Sequence, residues 1–137
     1  MDDVVINKVA ALEPCLRRVR EVHAGDDRNL RDDLTRQDSI ILNLQRACET
    51  SIDLAMHLVR RERLGVPQES RGAFALLVEG GHLERSLAER LQRMVGFRNV
   101  AVHDYQTLNL DIVAQIIRKH LDDLAEFGRV ALGFAGL

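Results

Sequence analysis

The sequence has no tryptophan, one tyrosine and two prolines, and aromatic residues make up 4% of its 137 residues. With so few flat rings, a surface that stacks successive bases is not available to it. Scarce proline together with abundant Leu, Ala and Arg favours helix over sheet. No apolar run approaches the roughly 20 residues needed to span a bilayer. The N-terminus, Met1-Asp2-Asp3, is acidic where a secretory leader would be basic and then apolar. The expected location is therefore the cytoplasm, with no membrane contact. The two cysteines, Cys15 and Cys48, lie among apolar residues at helical spacing and read as buried free thiols rather than a disulfide or a reactive pair. Nothing alternates with a period of two for long enough to suggest a strand, and there is no internal repeat. A Gly-rich phosphate loop and a Ser or Cys nucleophile arrangement are missing too. Glu79-x-x-His82 has a spacing used in di-iron bundles, but Gly80-Gly81 lies between and there is no second copy. No metal site and no cofactor are expected.

What is present is an ordinary globular composition, 46% hydrophobic and 29% charged, long enough for one domain with a real core. Residues 1–132 read as that domain, and the Gly-rich end, 133–137, as a frayed tail. The formal net charge of -2 offers nucleic acid no overall attraction. Between Arg60 and Arg98, however, eight arginines face five glutamates. That excess suits a phosphate ligand or a solvated helix face equally well.

Apolar spacing predicts an all-α, antiparallel bundle of four long helices and one short one. Val5, Val9, Leu12, Leu16 and Val19 mark a first helix from about Asp2 to His23, with a kink at Pro14 or a start near Glu13. Gly25 ends it and a charged connection follows. Ile41, Leu44, Cys48, Ile52, Ala55 and Leu58 define the second, capped by Thr35 and Asp38 and running to about Arg63, the spine of the bundle. Ser70 is expected to cap a short helix, Arg71 to Glu79. Ser86 and Glu89 have capping-box spacing for the next, whose inward residues are Leu87, Leu91, Met94 and Val95. A single last helix starts near Asn109, with Leu110, Val113, Ile117, Leu121, Leu124 and Phe127 inward. His23, His57 and His120 read as surface residues. The runs Arg17-Arg18-x-Arg20 and Arg60-Arg61-x-Arg63 read as solvated faces able to touch phosphate nonspecifically.

One stretch departs from this plain pattern. From Arg98 to Tyr105 an arginine, an imidazole, a carboxylate and the sole tyrosine fall within eight residues. Extending the stripe Leu87, Leu91, Met94 by four reaches Arg98, so its guanidinium belongs on or beside the buried face, where it needs a partner or an anion. His103, five residues on, is turned about 140° away on an unbroken helix. Either the helix ends near Val102 and His103 folds back, or a second copy completes the groove; two-fold pairing would bring two Arg and two His into one cleft. Such a pair suits phosphodiester chemistry. The imidazole moves a proton, the guanidinium offsets charge on phosphorus, and the 2′-hydroxyl of RNA serves as nucleophile without a metal. The bland alternative is a polar helix end in which Arg98 pairs with Asp104, His103 caps a carbonyl and Tyr105 only braces the turn.

The spacing Arg98, four residues, His103, one residue, Tyr105 resembles the Arg-x4-His-x-Tyr motif of the HepT toxins of the HEPN superfamily. The likeness extends to the flanks from Met94 to Tyr105, to Asn43–Glu49 and Ile52–Ala55, and to Asn109–Val113, and so to almost the whole chain. Pro14 and the Gly-rich tail are not features of that family, and neither touches the motif. The resemblance implies a helical homodimer acting as a metal-independent endoribonuclease, the toxin of a type II/VII-like toxin–antitoxin system. Arg98 and His103 would be catalytic, with Asn99 and Asp104 as polar neighbours. The implied partners are RNA and a minimal nucleotidyltransferase (MNT) antitoxin, which would silence the toxin by moving AMP from ATP onto Tyr105. The added phosphate and bulk would sit where RNA phosphate must lie. Helical domains of this kind also serve as non-catalytic nucleotide- or partner-binding modules beside nucleotidyltransferases, which is the alternative function.

Overall fold

The longest apolar stripe of the sequence becomes the longest helix. In the computed structural model, which describes residues 2–136, the elements are α1 (Asp3–His23), α2 (Arg28–Arg31), α3 (Leu34–Arg61), α4 (Ser70–Glu79), α5 (Arg85–His103), a 3₁₀ turn (Tyr105–Thr107), α6 (Leu110–Lys119) and α7 (Leu121–Phe134). No strand occurs among the described residues. The spine is α3, against which α1, α2, α4, α5 and α7 all pack. Its expected inward residues are all buried, and Ile40, Ala47, Leu54 and Val59 are buried as well. A helix enclosed on more than one side carries a wider apolar face than a surface helix does.

Polar ties give the directions. Asp2 at the start of α1 accepts from His57 (2.7 Å) and Arg61 (3.2 Å) at the end of α3, Lys8 meets Asp53 (3.3 Å), and Arg36 donates to the Val22 carbonyl. These pairings make α1 and α3 antiparallel. In the same way Arg71 and Gln92 exchange side-chain to backbone hydrogen bonds, and Arg98 meets Ser70, so α4 and α5 run antiparallel. The core closes where the Phe74 and Phe127 rings meet edge-on, centroids 5.5 Å apart. No helix among the described residues is long and apolar enough to cross a membrane.

The bundle is as expected, but several local readings are corrected. Pro14 does not start α1; the helix runs continuously through it, with Pro14 and Ala10 both exposed, so the carbonyl that loses its partner faces water. The cap of α3 is Asp33, which accepts from the Arg36 amide at 3.0 Å, not Thr35 or Asp38. Ser70 is already inside α4 and its hydroxyl is used elsewhere. The α5 capping box does not form, because Ser86 donates to Glu84 instead. The last helix is two: His120 leaves helical geometry (φ -122°) and separates α6 from α7. No residue is inserted at the break, so the inward stripe continues across it. The histidines assigned to the surface are in fact paired: His23 is buried and meets Asp27 at 2.7 Å, His57 binds Asp2, and His120 meets the buried Asp123 at 2.8 Å. Each has a carboxylate within reach to satisfy its ring, which apolar periodicity does not reveal. Of the cysteines, Cys48 is buried and Cys15 half-buried, and both are free. Gly133 and Phe134 still belong to α7 and Ala135 is buried, while Leu137, part of the expected tail, lies outside the described residues.

Candidate active site

The site residues come from the last two turns of α5 and the turn that follows. Leu87, Leu91, Met94 and Val95 are buried as the stripe predicts, and they carry the helix inward against α3 and α4. One step further along the same face stands Arg98, half-buried. Its Nη2 donates to Ser70 Oγ at 3.3 Å, and its Nε is buried without a hydrogen-bond partner. Among the described residues no carboxylate pairs with it, and in particular Asp104 does not. A guanidinium held by one neutral hydroxyl keeps its charge for an anion. Beside it lies Cys48, whose thiol burial pushes up to about 12, against the opposing pull of the Arg98 charge. That thiol is a packing group and not a nucleophile.

Because α5 runs unbroken through His103, the offset between Arg98 and His103 stands. They are about 7.5 Å apart along the axis and point to different sides. His103 is the last helical residue, exposed, with no side-chain hydrogen bond among the described residues. It therefore caps no carbonyl. Asn99 is half-buried, while Asp104 is exposed and passes the chain from α5 into the 3₁₀ turn. Within one chain the structure thus brings Arg98 and Asn99 against the bundle and leaves His103 and Asp104 facing outward.

Tyr105 turns back across the bundle. Its hydroxyl donates to Asp38 Oδ1 near the start of α3 at 2.6 Å, with the residue still 41% exposed. Partial burial first, and then the Asp38 hydrogen bond and charge, push its phenol up to about 12. Next to the motif, Val100, Val102 and Ile112 are exposed apolar side chains. A groove of about 520 Å³ runs between α5 and α6, lined by Met94, Phe97, Val100, Leu108, Ile112 and Ile116 among others. No group of three or more His, Cys, Asp or Glu side chains is placed to hold a metal ion among the described residues.

Ser70, Asp38 and Cys48 were not expected at this site. Ser70 read as a cap and Asp38 as a first-turn carboxylate, and nothing local marks either as the partner of a side chain 28 or 67 residues away.

Residues 12–131 match the family described as Ribonuclease HepT-like. The chain belongs to that family. This HepT-like chain is 48% identical over 127 residues to the mRNA nuclease HepT of Shewanella oneidensis, a match covering 93% of this chain and 95% of that protein. Its fold is similar to the tri-AMPylated HEPN toxin of the same organism in complex with an MNT antitoxin, with a TM-score of 0.91 and 47% identity over 97% of this chain and 99% of that one. A toxin–antitoxin structure with AMP-PNP is equally similar, with a TM-score of 0.91 and 45% identity over 96% and 99% of the two chains. The family suggested by the Arg-x4-His-x-Tyr spacing is the family found.

Proposed function

We propose that this chain is the ribonuclease toxin of a toxin–antitoxin pair, with Arg98 and His103 as its catalytic residues and a second copy of the chain completing the cleft. The observation that carries this reading is the state of Arg98. It is half-buried on the inner face of α5 and, among the described residues, has no carboxylate partner and keeps one donor unpaired, five residues before an exposed imidazole. His103 takes the proton of the RNA 2′-hydroxyl or supplies one to the leaving oxygen, and Arg98 neutralises the charge that builds on phosphorus. Neither role calls on a metal ion. Asn99 and Asp104 flank the pair as polar neighbours, at the edge where the backbone of a bound RNA passes.

The division of the two residues between faces supports the homodimer. Pairing α5 across a two-fold axis sets the His103 of each copy towards the Arg98 of the other, and it covers the apolar side chains Val100, Val102 and Ile112. Tyr105, the last residue of the motif, is the acceptor on which an MNT antitoxin places AMP in the cytoplasm, where RNA and ATP are both at hand. The relatives named above, one tri-AMPylated with its antitoxin and one with AMP-PNP, support that partner.

Purified protein incubated with RNA and EDTA tests the central claim. Cleavage is expected in EDTA, with a loss of at least about 100-fold in His103→Ala. A His103→Ala protein that cuts as well as the parent, or remains as toxic on expression, overturns it.

A further inference from the structure

Tyr105 and Asp38 are 67 residues apart in sequence and 2.6 Å apart in space, with the phenol as donor and the carboxylate as acceptor. The contact lies at the surface, where a partner can reach it: Asp38 is exposed and Tyr105 is 41% exposed. Asp38 also lines a cleft of about 670 Å³ between α1 and α3, together with Arg17, Arg18 and Arg46. Arg17 and Arg18 are within 4.0 Å of Glu21, which lines the same cleft, and Arg17 also meets Glu13 at 3.5 Å, whereas Arg46 makes no ion pair among the described residues.

A neutral phenol is a weak nucleophile towards phosphorus, and this one is held further from ionisation than usual, its phenol pushed up to about 12. Ionising it before attack is therefore not a useful route near neutral pH. The proton has to leave while the bond to phosphorus forms, and the group already placed on that proton is the Asp38 carboxylate. The arginines on the cleft wall offset the negative charge that a nucleotide would otherwise meet beside this carboxylate.

We propose that Asp38 is the proton acceptor for nucleotidyl transfer onto Tyr105, so that the toxin supplies the base for its own modification. This rests on the reading of Tyr105 as the AMP acceptor. In the step, Tyr105 Oη bonds to the α-phosphorus of a nucleoside triphosphate held by the nucleotidyltransferase. The bond from that phosphorus to the bridging oxygen of the pyrophosphate breaks, and pyrophosphate departs with the electron pair. The hydroxyl proton passes to Asp38 Oδ1 and then to water. Asp38 touches the reacting oxygen directly, so its part is catalytic.

The test follows the intact mass of the full chain over time, with the MNT antitoxin, ATP and magnesium. It compares the parent with Asp38→Asn, Asp38→Glu and Tyr105→Phe. Asp38→Asn keeps an oxygen that can accept the phenol's hydrogen bond but is no longer a base, whereas Tyr105→Phe removes the donor, so equal melting temperatures show that fold is not the cause. The rate of the first AMP addition at saturating ATP is expected to fall about 100- to 1,000-fold in Asp38→Asn. The half-saturating ATP concentration should stay within about threefold, and Asp38→Glu should recover at least about tenfold of the loss. An Asp38→Asn chain modified at the parent rate, while Tyr105→Phe stays unmodified, overturns the role of Asp38 and leaves the acceptor standing. A weaker half-saturation with the saturated rate intact also overturns it. Mass gain in Tyr105→Phe at the parent rate overturns the acceptor itself, and the proposal with it.

Discussion

The Nη2 of Arg98 rests on the Ser70 hydroxyl at 3.3 Å while its Nε is enclosed without a partner, so a neutral side chain on α4 aims a full positive charge. An ion pair in place of Ser70 would cancel that charge. A hydroxyl orients the guanidinium and leaves its field free. Replacing Ser70 by Ala should therefore lower RNA cleavage several-fold at a stability cost of no more than about 1 kcal/mol. Arg98→Ala should abolish it, and Arg98→Lys should not restore it, since a point charge does not reproduce the planar fork. Initial rates on a short RNA in EDTA, with melting curves alongside, check all three. Full activity in Arg98→Lys would argue that only charge matters at this position.

Val100 and Ile112 are 39% and 52% exposed beside the motif, and the groove between α5 and α6 opens next to them. If a second copy covers this face, Val100→Glu places charges opposite one another about the two-fold axis. Self-association and RNA cleavage should then fall together. Sedimentation across a concentration series, run on the samples used for the RNA assay, reads both. A monomeric Val100→Glu protein with undiminished cleavage would show that one chain holds a complete site.

The chain has one tyrosine and no tryptophan, so the phenolate absorbance near 295 nm reports Tyr105 alone. Its midpoint is expected at about 12 in the folded protein. In Asp38→Asn the midpoint should drop only part of the way, because burial, the larger cause, remains while the charge of the carboxylate is gone. Since the folded chain keeps this proton longer than the unfolded chain, the contribution to stability is full below pH of about 10 and is lost as pH rises through the folded value. His103 and Asp104 directly precede Tyr105 in the chain, and Arg17, Arg18 and Arg46 line the cleft that Asp38 shares. A parent midpoint near 10 would mean that the hydrogen bond does not persist in solution.

At the break between α6 and α7 the buried Asp123 accepts from Arg90 Nε at 3.0 Å and meets His120 at 2.8 Å. Removing the shared carboxylate leaves two groups without their partner, one of them on α5. Asp123→Ala should cost about 2–4 kcal/mol, with Asp123→Asn less damaging because the amide oxygen still accepts. Urea unfolding followed by circular dichroism measures both. An Asp123→Ala chain as stable as the parent would show that the break needs no polar clamp.

Helical class and most of each helix's inward stripe could be read directly, because each depends on residues within a few turns of one another, whereas the break at His120 that divides the last helix in two could not. The motif was legible for the same reason: Arg98, His103 and Tyr105 lie within one short stretch, and the offset between the first two follows from helix geometry alone. Helix ends were read less well. Ser70 and Ser86 carry the residue type of a cap, but a hydroxyl takes whichever partner packing brings to it, and here those partners are Arg98 and Glu84. His23 was misplaced, and the pairings of His57 and His120 were missed, because an apolar pattern cannot show a carboxylate approaching from another turn or another helix.

By itself, then, the sequence determined that the chain is an all-helical bundle and that one short stretch carries the arginine, imidazole and tyrosine together. Only the tertiary structure decided what those groups touch: Ser70 for Arg98, Asp38 for Tyr105, and open surface for His103. The reason is physical. Periodicity is set by backbone geometry over a few residues, whereas a hydrogen-bond partner is set by how whole helices pack, which brings together side chains that share no local pattern.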